Sequence, residues 1–432
     1  MGYGQPSGKP GEWRARFLRP DGVTYGSKSG YKSEKEAEKA ANKIEAEIAA
    51  GVWIDPHLSK TRIADWYAKW RPAQDYRSLD TAATYDQAWT KHIKPRWGNV
   101  ELGRVMPIDI QTWEAELRKT PYAPSTVNVI LTPLRQLLEA AYVNRMIGFL
   151  PVPPRSNSGG GRKKKSATPS IGAVVPLETW DAICARMNPR DAMLARLVFW
   201  TGMRWSEASA VRRRFLTLSP ATSSLPASGT YYLHPDVGAL HEDTSGNAEY
   251  GEPKSGGGRT WDLPPFLAEE LLDYLEWFEQ PHEPGVLGRR KRHGEPVPAE
   301  HADLVFPNAD GWPLRSDTWR VSTWRPACDG RYATKIKEAW DPIWPGLRLH
   351  DGKHSHAALL DDLGMHEVMR CDRLGHTIPG ARGVYSQPTR EMRARLVLAL
   401  QEYYEAHLLV IADEAANFPP NEAWTDLGVG IA

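Results

Sequence analysis

The chain has 432 residues, with 54 lysines and arginines against 53 aspartates and glutamates, a net charge of +1. Hydrophobic residues at 41% and charged residues at 25% exclude a disordered or fibrous chain, and at about 100–200 residues per domain the length predicts two to four domains. Cys184, Cys328 and Cys371 show no CxxC spacing and fit a reducing cytoplasm; no run of about 18 apolar residues occurs, and MGYGQPSGKP lacks a signal-peptide core, so neither membrane insertion nor secretion is expected.

Residues 1–55 read as a small sheet-plus-helix module. Trp13-Arg-Ala-Arg-Phe-Leu18 alternates bulky and basic residues, as a two-faced strand does. Pro20-Asp21-Gly22 is a turn signal, and Val23-Thr24-Tyr25 resumes an extended segment. Ser33-Glu-Lys-Glu36 is a capping box for a helix running through Ile44 and Ile48 to a stop at Gly51. Arg14 and Arg16 share one strand face, as phosphate contacts or as a solvated edge.

Residues 56–154 are helical throughout. Ile63, Trp66, Tyr67 and Trp70 recur at helical spacing, a second helix spans about Thr81 to Ile93, and a third Ile108 to Leu117. A fourth starts at Ser125 and carries Val129, Leu134, Leu137, Leu138 and Ala141 on one side. Pro95, Pro107 and Pro124 fall between helices or near first turns. Thr90, Lys91, Lys94 and Arg96 form a modest basic patch.

Residues 155–170 (RSNSGGGRKKKSATPS) hold five basic residues, including Arg162, Lys163, Lys164 and Lys165, and no acid. Such a glycine-rich basic stretch is a flexible linker, and a tether of that kind suits a protein that wraps a duplex. Residues 171–412 mix helical periodicity (Leu194, Leu197, Val198, Trp200) with short strands such as Thr230-Tyr-Tyr-Leu233 and Arg259-Thr-Trp-Asp-Leu263. The run Arg289-Arg-Lys-Arg-His293 lies in a Pro/Gly-rich loop. Residues 413–432 carry four acids and no base, a tail. The fold class is α+β multidomain, mainly α: a β-sheet-plus-helix module, a helical domain and a mixed α/β domain.

Four patterns in the last domain carry chemistry. Thr201-Gly-Met-Arg-Trp-Ser-Glu207 places Arg204 at a helix opening after a glycine turn. Pro253-Lys-Ser-Gly-Gly-Gly-Arg-Thr-Trp-Asp-Leu-Pro264 puts Lys254 on the rim of a turn between extended segments. It lacks the GxxxxGK[ST] spacing of a phosphate-cradling loop. Leu349-His-Asp-Gly-Lys-His-Ser-His356 opens a helix, and Leu374-Gly-His376 is followed by Val384-Tyr385-Ser386. The three histidines lack the H-E-x-x-H pattern and a neighbouring cysteine, so zinc is not expected.

Together the four patterns resemble the tyrosine recombinases, the integrases of phages and mobile elements, over nearly the whole chain. The resemblance implies an arm-site-binding module at 1–55, a core-binding helical domain at 56–154, the linker at 155–170, a catalytic domain at 171–412 and an acidic tail. It implies Arg204, Lys254, His350, His376 and the nucleophile Tyr385 as catalytic residues, with Glu207 as the companion of Arg204. No cofactor and no metal are expected; the partners implied are double-stranded DNA attachment sites, four copies of the chain, and accessory directionality or bending factors. The helix after Tyr385 has Leu396, Leu398, Leu400, Tyr404 and Leu408 on one face, for its own domain or for a neighbouring protomer.

One position departs from that pattern. Lys353 stands where the family's second arginine is usual, keeping the charge but losing the bidentate fork. Three outcomes stay open: an active enzyme, a slow one, and a DNA-binding regulator that no longer cuts, with Arg348 as a possible substitute donor. A type IB topoisomerase would share the chemistry without the two upstream modules. The balanced net charge then implies placed DNA contacts instead of a general positive field.

Overall fold

A computed structural model of the protein describes residues 2–76, 79–152, 173–242, 248–282, 286–287, 296–334, 337–378 and 387–417, with 79–80 and 414–417 described by backbone alone. Tyr385, the 162–165 basic run, the 289–293 run and the tail beyond 417 lie outside these residues. The chain divides into two compact units, residues 1–164 and 165–432.

The first unit holds two separate cores. An antiparallel sheet of Tyr3–Pro6, Trp13–Leu18 and Tyr25–Tyr31 carries the helix Glu34–Ala49 on one face. Alternation along the central strand buries Ala15 and Phe17 toward that helix and turns Arg14 and Arg16 to the other face. Ser33 caps the helix by accepting from the Glu36 N–H at 3.2 Å, while the Glu36 carboxylate reaches back to the Lys32 N–H. Gly51, at φ +70°, ends it.

The helical core of this unit comes from Ile63–Trp70, Pro107–Arg118, Pro124–Val143 and, following the helix Leu79–Ala88 that is second of these in chain order, from Trp89, Ile93 and Trp97. The second helix continues through a π-turn, Trp89–Ile93, into Lys94–Trp97. Pro95 therefore lies in the first turn of Lys94–Trp97, inside a continuous helical rod. A proline lacks the N–H and crowds the preceding turn, and the widened turn accommodates it. The same pairing recurs at Arg320–Trp324, followed by Pro326 in Arg325–Asp329. In the 124–143 helix Val129 is exposed, contrary to the face read from spacing; Val127, Ile130 and Leu131 take the core positions.

The second unit is built around buried Trp180, Trp200, Trp261 and Trp324. Strands Leu216–Ser219, Ser228–Leu233 and Arg259–Leu263 form one antiparallel sheet, and Ala239–Glu242 pairs with Ala248–Gly251 in another. The two extended segments flanking the Lys254 turn thus belong to different sheets, and the turn is a link between sheets. The helix Arg390–Asn417 buries Leu396 and Leu400 and stacks Tyr404 on Phe266 at 3.9 Å. Leu398 and Leu408 are exposed, so the apolar face named above holds only in part. Among the described residues no helix is long and apolar enough to cross a membrane.

Candidate active site

Arg204, Lys254, His350, Lys353 and His376, from four separate chain segments, line one cleft of about 460 Å³ together with Trp205, Ser206, His354, Ala357 and Leu374. The convergence depends on how two helices end.

The helix Pro189–Thr201 terminates at Gly202, whose φ of +68° is the left-handed conformation that glycine adopts without strain. A Cβ there would come within 2.6 Å of Leu374 and 3.0 Å of His356. Its last carbonyls take side-chain donors: Arg373 Nη2 donates to Trp200 at 3.0 Å, Trp261 Nε1 to Thr201 at 2.9 Å, and Lys353 Nζ to Gly202 at 2.6 Å. Helix C-termini leave such acceptors unsatisfied, and cations complement their partial negative charge. The next turn starts at Arg204, which caps Trp205–Ala208. Glu207 accepts from the Arg204 N–H and guanidinium, both at 2.9 Å, and from Arg259 Nη2 at 2.7 Å. Burial opposes ionisation of Glu207, but Arg259, Arg204 and Lys353 outweigh it and hold its carboxyl below the ordinary range.

The helix Glu367–Leu374 ends in the same manner. The Gly375 and His376 N–H groups donate back to Asp372 and Cys371, a Schellman closure that sets the His376 backbone. Lys353 Nζ also donates to the Leu374 carbonyl, at 2.7 Å. The lysine is 5% exposed, and burial, then Arg204, pulls its ammonium down to about 7 against the attraction of Glu207. Partial burial, followed by His354, Lys353, Arg204 and Arg348, pushes His350 down to about 4. His376 is lowered by partial burial and then by Lys353, Arg204 and Arg259.

Other expected residues fall elsewhere. Arg348 does not enter the cleft lining; it ion-pairs with Asp351 at 2.7 Å and so secures the start of His350–Asp362. The three histidines separate: His350 and His354 meet edge to face at 5.0 Å, while His356 is buried beside Arg373. Among the described residues no group of three or more His, Cys, Asp or Glu side chains could hold a metal ion. Arg14 donates to the Ser7 carbonyl and Arg16 lies over Tyr25 at 5.6 Å, both partly exposed on the open sheet face. Lys91 and Lys94 are exposed on the π-turn rod. Two buried cations that bond to Glu207 and to the end of the Pro189–Thr201 helix were missed from the sequence, Arg259 and Arg373. Arg259 had a signal: it sits in register with Trp261 and Leu263 on the inward face of its strand.

No family model matches the chain. A putative prophage phiRv2 integrase of Mycobacterium tuberculosis is 23% identical over 399 residues, covering 90% of this chain and 92% of that protein. The transposon Tn1549 integrase in complex with transposon right end DNA superposes with a TM-score of 0.56 at 13% identity, over 81% of this chain and 100% of that one. The same integrase in complex with a circular intermediate DNA gives 0.52 at 13% identity, over 81% and 99%. The likeness to these solved structures establishes a shared fold.

Proposed function

We infer that this chain is a tyrosine recombinase, a site-specific DNA recombinase that integrates or excises a phage or mobile element. The observation that carries the reading is the convergence of Arg204, Lys254, His350, Lys353 and His376 on one cleft. Around a phosphodiester, these cations and imidazoles can bind the non-bridging oxygens, where charge gathers as phosphorus becomes five-coordinate.

In the mechanism, the Tyr385 oxygen attacks phosphorus, forming a 3′-phosphotyrosyl bond as the bond from phosphorus to the 5′-oxygen breaks. Arg204, fixed by Glu207, presents two N–H donors to the non-bridging oxygens. Lys254, exposed on the rim, delivers a proton to the leaving 5′-oxygen. His350 and His376, neutral near pH 7 before DNA arrives, hydrogen-bond the phosphate or accept the tyrosine proton. Lys353 adds charge from the floor of the cleft. The phosphotyrosyl bond conserves the energy of the one broken, so rejoining needs neither ATP nor a metal.

Each chain supplies one nucleophile. Exchange of two duplexes breaks four strands, so four copies act together, in the cytoplasm on double-stranded DNA attachment sites. Arg14 and Arg16 in the 1–55 arm-site module, Lys91 and Lys94 in the 56–154 domain, and Arg162, Lys163, Lys164 and Lys165 in the linker supply phosphate contacts, which make affinity fall with salt. Directionality or DNA-bending factors complete the assembly. A nicked suicide substrate built from the DNA junction beside the coding region should yield a covalent protein–DNA adduct that Tyr385→Phe abolishes. Site-specific binding without any wild-type adduct would establish the silent regulator instead.

A further inference from the structure

Arg259 lies under the cleft without lining it. It is 8% exposed, at the start of the strand that follows the Lys254 turn. Its guanidinium divides its donors between two sides: Nη1 donates to Ser255 Oγ at 2.6 Å, one residue from Lys254, and Nη2 to Glu207 at 2.7 Å, the carboxylate that also holds Arg204. The group packs over the Trp261 ring at 4.5 Å. It also occupies the space where a Cβ on Gly375, the neighbour of His376, would stand.

Among the described residues the turn is otherwise tied at its start, where the His241 ring Nε2 lies 3.0 Å from the Glu252 carbonyl, and by its own backbone. Gly256 and Gly257 both adopt positive φ, and the Gly256 N–H closes a turn onto the Pro253 carbonyl at 2.8 Å. The flanking strands belong to different sheets, so no shared ladder sets where Lys254 points.

We propose that Arg259 is a positioning residue that latches the Lys254 turn, through Ser255, to the carboxylate anchoring Arg204, so that the proton donor and the phosphate-binding arginine are held in one frame. The proposal rests on the recombinase reading. It states that Arg259 serves chiefly the leaving-group side of the reaction, since its bond to Ser255 is the side-chain tie between the turn and the buried frame, whereas Arg204 is already held by two direct bonds to Glu207.

A leaving-group substitution separates the possibilities. In a substrate whose bridging 5′-oxygen is replaced by sulfur, the phosphorus–sulfur bond breaks and the thiolate leaves with the electron pair. A thiol ionises near pH 8.5, so the departing atom needs no proton donor. On the oxygen substrate Arg259→Ala should slow adduct formation by about 10²-fold, the scale of a misplacement near 1 Å. Ser255→Ala, which leaves no buried charge unpaired, should slow it by about tenfold. On the sulfur substrate both defects should shrink toward wild type, as that of Lys254→Ala does, while Arg204→Ala stays impaired on both. If Lys254→Ala is rescued by sulfur but Arg259→Ala and Ser255→Ala are not, the latch is overturned and the recombinase reading stands. If the wild type forms no adduct on either substrate, both fall.

Discussion

The Lys353 ammonium donates to the carbonyl of Gly202 at 2.6 Å, which joins the position lacking the usual arginine to the turn that launches Arg204. Its second bond, to Leu374, ties the same ammonium to the turn before His376. Two of its three donors are thus committed to helix ends, and one remains for a phosphate oxygen. Lys353→Arg should therefore fail to accelerate cleavage. The larger guanidinium must be fitted into a pocket that leaves the lysine 5% exposed, and overpacking of that kind costs about 1–3 kcal/mol. Lys353→Met, similar in length but without donors, should slow adduct formation by about 10²–10³-fold. Single-turnover cleavage rates for both variants, alongside thermal melts, check this. A gain with arginine would show that the missing fork limits the enzyme.

DNA binding should take up protons. Lys353 at about 7, His350 at about 4 and the lowered His376 are held down by burial and by neighbouring cations. An arriving phosphodiester adds negative charge, which raises all three. Between the free and bound values the site gains protons, so affinity should fall as pH rises through neutrality. Calorimetry at pH 7 in buffers of different ionisation enthalpy should report net uptake, reduced in Lys353→Met. Zero uptake in the wild type would contradict the geometry.

Much of the lining of the candidate cleft was legible because its residues ride on local signals. A glycine turn precedes Arg204 and His376, and a helix start carries His350. Arg259 and Arg373 were hidden because their partners are remote: Arg259 reaches Glu207, 52 positions away, and Arg373 reaches Trp200, 173 away. Strand pairing was hidden for a related reason. Residues 248–251 and 259–263 are neighbours along the chain, yet hydrogen bonds to 239–242 and 228–233 assign them to different sheets. Periodicity gave the helices and misassigned single positions, Val129 and Leu398, because an apolar residue at the edge of a stripe can face either way.

The C-terminal helix offers a direct measure of that last point. Leu400 is fully buried and Leu398 is 58% exposed, although both are leucines two residues apart. Leu400→Ala should destabilise the protein by about 2–5 kcal/mol through lost contacts and a cavity. Leu398→Ala should stay within about 0.5 kcal/mol in the isolated chain. Urea unfolding of the two variants, followed by tryptophan fluorescence, would reverse the assignment if Leu398 proved the costlier.

Glu207 should be the most consequential carboxylate in the domain. It is fully buried and receives both Arg204 and Arg259, so replacing it leaves two guanidinium groups without their counter-charge. Breaking a buried ion pair in this way costs about 3–5 kcal/mol, and Glu207→Gln should lose stability on that scale along with cleavage. The pH dependence has a defined sign. A carboxyl whose folded value lies below its unfolded one stabilises the fold above the ordinary range and loses that contribution as pH falls through the folded value. The stability gap between wild type and Glu207→Gln should accordingly be constant from pH 7 down to the ordinary glutamate value of about 4.3 and narrow below it. Urea unfolding of both proteins across this window measures the gap. A gap that instead widens as pH falls from 7 to 6 would mean that Glu207 takes up a proton in the fold at a value above the ordinary one, and that the Arg204 and Arg259 charges do not hold it ionised.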